Sequence, residues 1–452
     1  MNIVVVGAGV VGNSLAEQLS IEGHRVSVVD RDRARLKAIG DKLDVLCVHG
    51  NGSTPSVLER AGVRKAAMAI AVTDVDEVNM VVGMLADRMG AQHTIVRIRD
   101  REHSGEGVVL ALEEIGIDQV INPAPGIVDA LVRTIEIPGS YHIATLADGQ
   151  LLILGLAIPK DSPAAGLSMA ELRAIGNLDA FLVLDINRRD QVIVPRGQDT
   201  IEPGDVVHLL CSAKTVELVP PIVHARPPIV DVVIIGGASR IGVQLAGAIQ
   251  DRIERVVLIE PDRTKAEDAA AQLEHTLVLN GDPADLDVLE EASLDKCDLF
   301  CALSDDDQSN TMSALLAKKH SSTFAAVLVH QPEYVPVLNS LEVEIVINPR
   351  LATVGEILMH VRKGHVHSVT RLAHGRAEIL ELEAPDASPV VCAPLKELVF
   401  PENALLGAIV HDGVMRIPSG DSQIEPGDTV VVFALPDAIP GIEKLFTRRR
   451  WF

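Results

Sequence analysis

Residues 7–12 read Gly-Ala-Gly-Val-Val-Gly, and this run limits the possible folds of the chain more tightly than its composition does. It lies between an apolar strand pattern, Met1 to Val6, and an amphipathic helix pattern, Asn13 to Ile21; a second strand, Arg25 to Val29, ends on Asp30. In such a unit Gly7 permits the tight turn, Gly9 lets backbone approach a pyrophosphate, and Gly12 lets the helix lie close on the strand. The helix start offers free N–H groups and a positive dipole end to phosphates, and the acid after the second strand can take both ribose hydroxyls. Strand, turn, helix, strand and acid in register predict a nucleotide-binding βαβ unit with Asp30 as its ribose acid.

The alternation continues. A helix, Arg33 to Lys42, precedes the strand Val45 to Val48, which ends in His49-Gly50-Asn51-Gly52-Ser53. A helix, Pro55 to Ala61, leads to the strand Met68 to Val72, which stops at Thr73-Asp74; the next helix starts around Glu77-Val78-Asn79, and the strand Thr94 to Ile98 carries Arg97. This order specifies a parallel sheet with right-handed crossovers. Ligands of such sheets sit at the carboxyl ends of the strands, where Gly7, Asp30, Gly50, Thr73 and Arg97 converge. After Asn122-Pro123 comes a helix, Ile127 to Ile135; the segment Asn122 to Ile135, with its duplicate Asn348 to Val361, has a proline start and an apolar face that make it the candidate to cross to a neighbouring lobe, the alternative being a helix packed within its own lobe. Hairpin strands follow (Leu151 to Ile158, Phe181 to Ile186, Gln191 to Val194, Val206 to Leu210), with a helix, Leu167 to Ile175, and a Glu202-Pro203-Gly204-Asp205 turn. This small α+β module ends in the proline-rich linker Val219 to Pro228.

Then the order begins again: strand Asp231 to Ile235, glycine turn, helix Val243 to Ile249, strand Arg255 to Ile259, acid Glu260. Val57-Leu58-Glu59 recurs as Val288-Leu289-Glu290, a spacing of 288 − 57 = 231, and Thr73-Asp74 and Asn79 recur as Ser304-Asp305 and Asn310 at the same spacing. Asn348-Pro349 answers Asn122-Pro123, and Ile201-Glu202-Pro203-Gly204-Asp205 reappears as Ile424-Glu425-Pro426-Gly427-Asp428, so the whole two-part unit is duplicated. The second turn, Gly236-Gly237-Ala238-Ser239-Arg240-Ile241-Gly242, reads as one residue longer, with Ala238-Ser239 where Gly9 gave close approach, and Leu328 stands where Arg97 stood. Arginine offers phosphate a permanent, bidentate charge and leucine offers none. The second site is therefore expected to bind a nucleotide less well, or a less phosphorylated one, or none, while Glu260, Asp282 and Asp305 leave ribose recognition open. The fold class expected is α/β: two tandem Rossmann-like parallel-sheet lobes (1–136 and 229–364), each followed by a small α+β C-terminal lobe (137–222 and 365–450).

Composition agrees. One Trp, two Tyr and seven Phe leave the cores of a 452-residue chain to Val, Ile, Leu and Ala, which suits strands buried on both faces. A net charge of −23 disfavours direct binding to nucleic acid or to bare anionic membrane. Met1 opens directly into the strand the glycine turn needs, no run of about eighteen apolar residues occurs, and five scattered cysteines suit free thiols in a reducing compartment. A cytoplasmic chain without membrane insertion is expected.

With the glycine turn, Asp30, the Gly50 to Ser53 run, Thr73 to Asn79, Arg97 and the paired Ile-Glu-Pro-Gly-Asp turns in hand, the chain resembles the TrkA family over essentially its whole length. These are cytosolic regulators of Trk-type potassium uptake in bacteria and archaea, built as two RCK (KTN) units. The resemblance implies binding of NAD(H) and of ATP or ADP, and assembly of four chains into a ring of eight RCK units. It also implies docking on a membrane potassium channel subunit of the TrkH or TrkG type, at the inner face of the cell membrane, and no catalysis. It assigns to the first cofactor site Gly7, Ala8, Gly9, Val10, Val11, Gly12, Asp30, Arg31, Gly50, Asn51, Gly52, Ser53, Thr73, Asp74, Glu77, Asn79 and Arg97. The corresponding second-lobe residues are Gly236, Gly237, Ala238, Ser239, Arg240, Ile241, Glu260, Asp282, Ser304 and Asp305.

Two other functions compete. An NAD-dependent oxidoreductase needs an acid or base beside the nicotinamide. The small module offers only Asp179, Asp185 and His208, scattered, and the densest histidines (His360, His365, His367, His374) read as surface or core residues ahead of a metal site. A redox-sensing repressor needs a basic helix pair, and Arg448-Arg449-Arg450 is too short a basic run to offset the acidic balance.

Overall fold

The computed structural model describes residues 1–99, 112–137, 139–175, 181–189, 191–224, 229–321, 323–341, 343–361, 366–372, 377–411 and 414–447. The chain divides into two compact units, Met1–Pro125 with Asn348–Val361, and Gly126–Ile347 with Arg362–Phe452. His365, His374, Asp179 and Arg448 to Arg450 lie outside the described residues.

In the first unit, β1 (Asn2–Val6), α1 (Val10–Ile21), β2 (Arg25–Asp30), α2 (Arg33–Gly40), β3 (Leu46–His49), α3 (Pro55–Arg60), β4 (Met68–Ala71), α4 (Asp76–Met89), β5 (Thr94–Arg97) and β6 (Gln119–Ile121) build a sheet of order β3-β2-β1-β4-β5-β6. All its pairings are parallel. Alternate residues of β1 supply opposite cores, Ile3 and Val5 facing α1 while Val4 and Val6 face α4, which is why the strand reads as an unbroken apolar run. α1 begins at Val10, three residues ahead of its predicted start, because Gly12 belongs to its first turn rather than to the loop. Leu15, Ala16 and Leu19 of α1 pack with Val354, Ile357, Leu358 and Val361 of the helix Pro349–Val361, which comes from the second repeat. The three-residue edge strand β6 has too few residues to show a period.

In the second unit, the helix α5 (Pro123–Glu136) lays Ile127, Leu131 and Ile135 against Val233, Ile235, Leu245 and Ala246 of the second parallel sheet. An Arg252–Glu136 ion pair of 2.6 Å fixes its end. That sheet repeats the first order: Thr276–Asn280, Arg255–Glu260, Val232–Gly236, Leu299–Ala302, Phe324–Leu328, Ile345–Ile347. The small lobes are five-stranded and antiparallel. The first runs Gln191–Ile193, Phe181–Arg188, Val206–Ser212, Leu151–Ala157, Ser140–Leu146; the second runs Val366–Leu372, Ala377–Glu383, Thr429–Ala434, Ala404–His411, Val414–Arg416. Their inner faces share one core, in which Leu151, Ile153, Leu184 and Leu210 meet Ile379, Ala408, Val431 and Phe433. Among the described residues no helix is long and apolar enough to cross a membrane.

Candidate functional site

A cleft with about 600 Å³ of empty volume opens at the carboxyl edge of the first parallel sheet. Its lining comes from four of the five strand ends the sequence pattern indicated: Val6, Gly7 and Gly9 at the end of β1, Asp30 and Arg31 at the end of β2, Gly50 to Gly52 after β3, and Thr73 to Val75 after β4. Gly7 has φ +110°, its N–H donates to Val29 O at 2.8 Å, and a Cβ there would lie 3.0 Å from Thr73 N. A Cβ on Gly12 would lie 1.7 Å from Gly7 O, so only glycine lets α1 come down on the turn. Gly9 lines the cleft as the N-cap of α1 and makes no side-chain cap, so no capping side chain takes up the first-turn N–H groups that an anion could use.

Asp30 holds this loop in shape. Its Oδ2 accepts the Ala8 N–H at 2.6 Å and its Oδ1 the Asp32 N–H at 2.7 Å, and each oxygen retains lone-pair capacity toward the cleft. Arg35, on the first turn of α2, also lines the cleft, 3.7 Å from Asp32. The glycine-turn-and-acid motif ends at Asp30 and so does not include Arg35; the Arg31-Asp32-Arg33-Ala34-Arg35 run is the signal for it in the sequence.

Other assigned residues stand behind this wall. Asn79 is fully buried; its Oδ1 accepts the Thr73 N–H (2.9 Å) and Oγ1 (2.7 Å), and its Nδ2 donates to Thr73 O (3.1 Å) and Arg97 O (2.9 Å). It positions the end of β4 rather than lining the cleft. Arg97 is 8% exposed, does not line the cleft, and its Nε is buried with no hydrogen-bond partner. Burial lowers its pKa, the neighbouring Arg99 and Arg350 lower it further, and Asp74 and Asp76 act against this. Ser53 is bound to Asn51 Oδ1 (2.9 Å), Glu77 is exposed in the first turn of α4, Ala8 and Val11 are buried, and Val10 is exposed.

The second glycine turn has the same length as the first, which corrects the expectation of an additional residue. Gly237 has φ +106° and donates to Ile259 O at 2.8 Å, and the Ala238 N–H donates to Glu260 Oε2 at 2.6 Å, matching Gly7 and Ala8 bond for bond. Gly236 is the last residue of its strand, so the Gly236-Gly237 doublet misplaces the turn when read without φ. The added residue falls later, where the helix Arg263–Gln272 has 10 residues against 8 in α2.

The chemistry of the second edge differs. Ser239 replaces Gly9, and its Oγ accepts the Gly242 N–H at 3.2 Å, occupying a donor that is open in α1. Pro283 replaces Gly52 and Gly236 replaces Val6, so bulk has changed sides: a Cβ on Gly52 would lie 2.2 Å from Val6, and one on Gly236 3.0 Å from Pro283. Glu260 is 5% exposed with both oxygens accepting backbone N–H groups. Ser304 is locked by Asn310 as Thr73 is by Asn79, Leu328 is buried, and Asp282 accepts the Ala284 N–H at 2.8 Å. Asp305 is exposed, 4.0 Å from Lys265, and Arg240 and Ile241 open the second helix.

In the first small lobe Asp185 and His208 form a buried pair, 2.8 Å apart, and neither lines the cleft. Among the described residues no group of three or more His, Cys, Asp or Glu is placed to hold a metal.

Residues 3–123 and 233–349 match the model of the TrkA-N domain, and residues 153–220 and 379–447 that of the TrkA-C domain. The chain is 34% identical to the Trk system potassium uptake protein TrkA of Azorhizobium caulinodans, covering 99% of this chain and 98% of that one. It is similar in structure to the GsuK channel bound to NAD (TM-score 0.61, 17% identity, 98% of this chain and 78% of that one). The GsuK bound to ADP is also similar (TM-score 0.50, 14% identity, 80% and 69%).

Proposed function

Because this chain belongs to the TrkA family, we propose that it is a nucleotide-reading regulatory subunit of potassium uptake, with the cleft above β1, β2 and β4 as its sensor. The observation that carries this reading is the uncapped N-terminus of α1 opposite Asp30 in an open cleft. A dinucleotide or adenine nucleotide would place phosphate on the α1 N–H groups and a ribose on Asp30, with Arg31 and Arg35 at the rim. NAD(H), ATP and ADP fit that chemistry, and related structures hold NAD or ADP.

A ligand moves an equilibrium only by binding one state better than another. Here α1 carries the phosphate site at one end and, along its side, the apolar face that holds the helix Pro349–Val361. Ligand contacts at its N-terminus therefore bear on a helix from the other repeat. The partner is a membrane potassium-transport protein; in finer detail we infer a TrkH- or TrkG-type subunit, four chains in a ring, and a location at the inner membrane face. The functional parts are the lobes 1–136, 137–222, 229–364 and 365–450. We read the cleft as binding without turnover: its two carboxylates are Asp30, which holds two backbone N–H groups, and Asp74. Steady hydride transfer from NADH to small carbonyl compounds would contradict this.

Calorimetric titration with NADH, NAD, ATP and ADP tests the site, comparing the chain with Gly9→Ala plus Asp30→Ala. Alanine fits at position 9, where a Cβ meets nothing nearer than Arg35 at 3.9 Å, so lost binding reports on the cleft. A drop in affinity of about tenfold or more is expected. Unchanged binding, or none by the unaltered chain, would remove the proposal.

A further inference from the structure

Each repeat carries two buried carboxylates at corresponding places, and the two repeats partner them differently. In the first, Asp76 accepts the Arg99 backbone N–H at 2.7 Å with the Arg99 Nε at 3.5 Å. At the same spacing of 231 (307 − 76 and 330 − 99), Asp307 accepts the His330 N–H at 2.8 Å and the Gln331 N–H at 3.0 Å, and the His330 Nδ1 lies 2.9 Å away. In the first small lobe Asp205 accepts the Glu202 N–H at 2.7 Å and is clasped by Arg188 Nε and Nη2, both at 2.8 Å. At a spacing of 223 (428 − 205 and 411 − 188), Asp428 accepts the Glu425 N–H at 2.9 Å, and His411 Nδ1 lies 2.5 Å from its other oxygen. At both arginine positions the second repeat has histidine.

We propose that the second repeat is the proton-responsive half of the molecule, with the pairs His330–Asp307 and His411–Asp428 as its switches. An arginine keeps its charge at every pH a cell meets, whereas histidine is the side chain whose charge changes between about pH 5 and 8. Asp307 is 8% and Asp428 1% exposed, so neither can replace a lost cationic partner with free solvation. His330 meets Asp307 from the helix Asp307–His320. His411 meets Asp428, has Glu425 at 3.9 Å from Nε2, and shares Asp428 with Arg416, 3.9 Å from the carboxylate. Against the rise that burial gives, hydrogen bonds from the His330 backbone and ring and from the Gln331 backbone bring the Asp307 carboxyl below its ordinary value. Both switches grip backbone: one the loop leaving the strand Phe324–Leu328, the other the Ile424 to Asp428 turn. These segments hold most firmly when the histidines are charged and loosen as pH rises, while their first-repeat counterparts do not respond.

Hydrogen exchange on the full chain at about pH 6 and about pH 8, corrected for intrinsic rates, tests this. Peptides spanning 324–331 and 424–431 are expected to be about fivefold or more better protected at the lower pH, and those spanning 94–99 and 201–207 equally protected at both. His330→Arg and His411→Arg, which install the first repeat's own residue, are expected to abolish the difference. Asn at each position, an uncharged donor, is expected to do so at the looser, high-pH level. Equal protection in the unaltered chain, or a difference surviving in both kinds of variant, would overturn the proposal.

Discussion

Gly12 shows how little freedom the first turn has. A methyl group there would lie 1.7 Å from the Gly7 carbonyl oxygen, so Gly12→Ala must force helix and strand apart. We expect a loss of about 1–3 kcal/mol in denaturant unfolding together with weakened nucleotide binding. Asn79 offers a sharper contrast, because its four hydrogen bonds recur at Asn310. Asn79→Ala and Asn310→Ala should each cost about 1–3 kcal/mol through unpaired backbone groups. Only the first should also weaken nucleotide binding, by about tenfold, because Thr73 lines the cleft; equal effects on calorimetric affinity would contradict the assignment of the site. At this scale the motif residues were readable and their division of labour was not. Asn79 and Arg97 carry the chemistry of ligand contacts, yet one positions a strand end and the other is buried beside it.

Among the elements, the helix Pro349–Val361 gives the first unit its character. Ile357 is fully buried in the core shared with α1, so Ile357→Asp should destabilise that unit by about 3–5 kcal/mol. Hydrogen exchange of β1 and α1 should report the loss although the altered residue lies in the other repeat. Burial on the same helix pushes the Glu356 carboxyl up from 4.5 to about 7. The folded state then holds a proton that the unfolded chain has released, so between these values stability falls as pH rises, and above them this contribution is flat. Glu356→Gln should remove that slope from unfolding curves measured across the window; an unchanged slope would place its origin elsewhere. The apolar face and proline start of α5 were evident in the sequence. Its packing partner, the second sheet, was a matter of geometry, since any apolar stripe satisfies the same pattern.

For the molecule as a whole, the duplication is not two independent halves laid end to end. Each parallel sheet is covered on one face by a helix belonging to the other repeat's sequence. A chain ending at residue 228 would leave Leu15 and Leu19 without the helix Pro349–Val361, and Ile127, Leu131 and Ile135 without the second sheet. Two copies of that half can satisfy both needs reciprocally, so light scattering should find a dimer or larger species. A monomeric half that binds nucleotide would show that the helices are dispensable covers.

The sequence by itself determined the two parallel sheets, the glycine turn with Asp30 and the duplication, because these depend on local pattern: residue period, glycine at a strand end, spacing from turn to acid. Tertiary structure alone decided which core each long helix joins, where the second turn begins, and which polar residues face the cleft instead of holding it from behind. Those outcomes depend on φ at Gly237, on a Cβ clash between residues 12 and 7, and on packing between segments about a hundred to more than three hundred residues apart. No local period records such contacts.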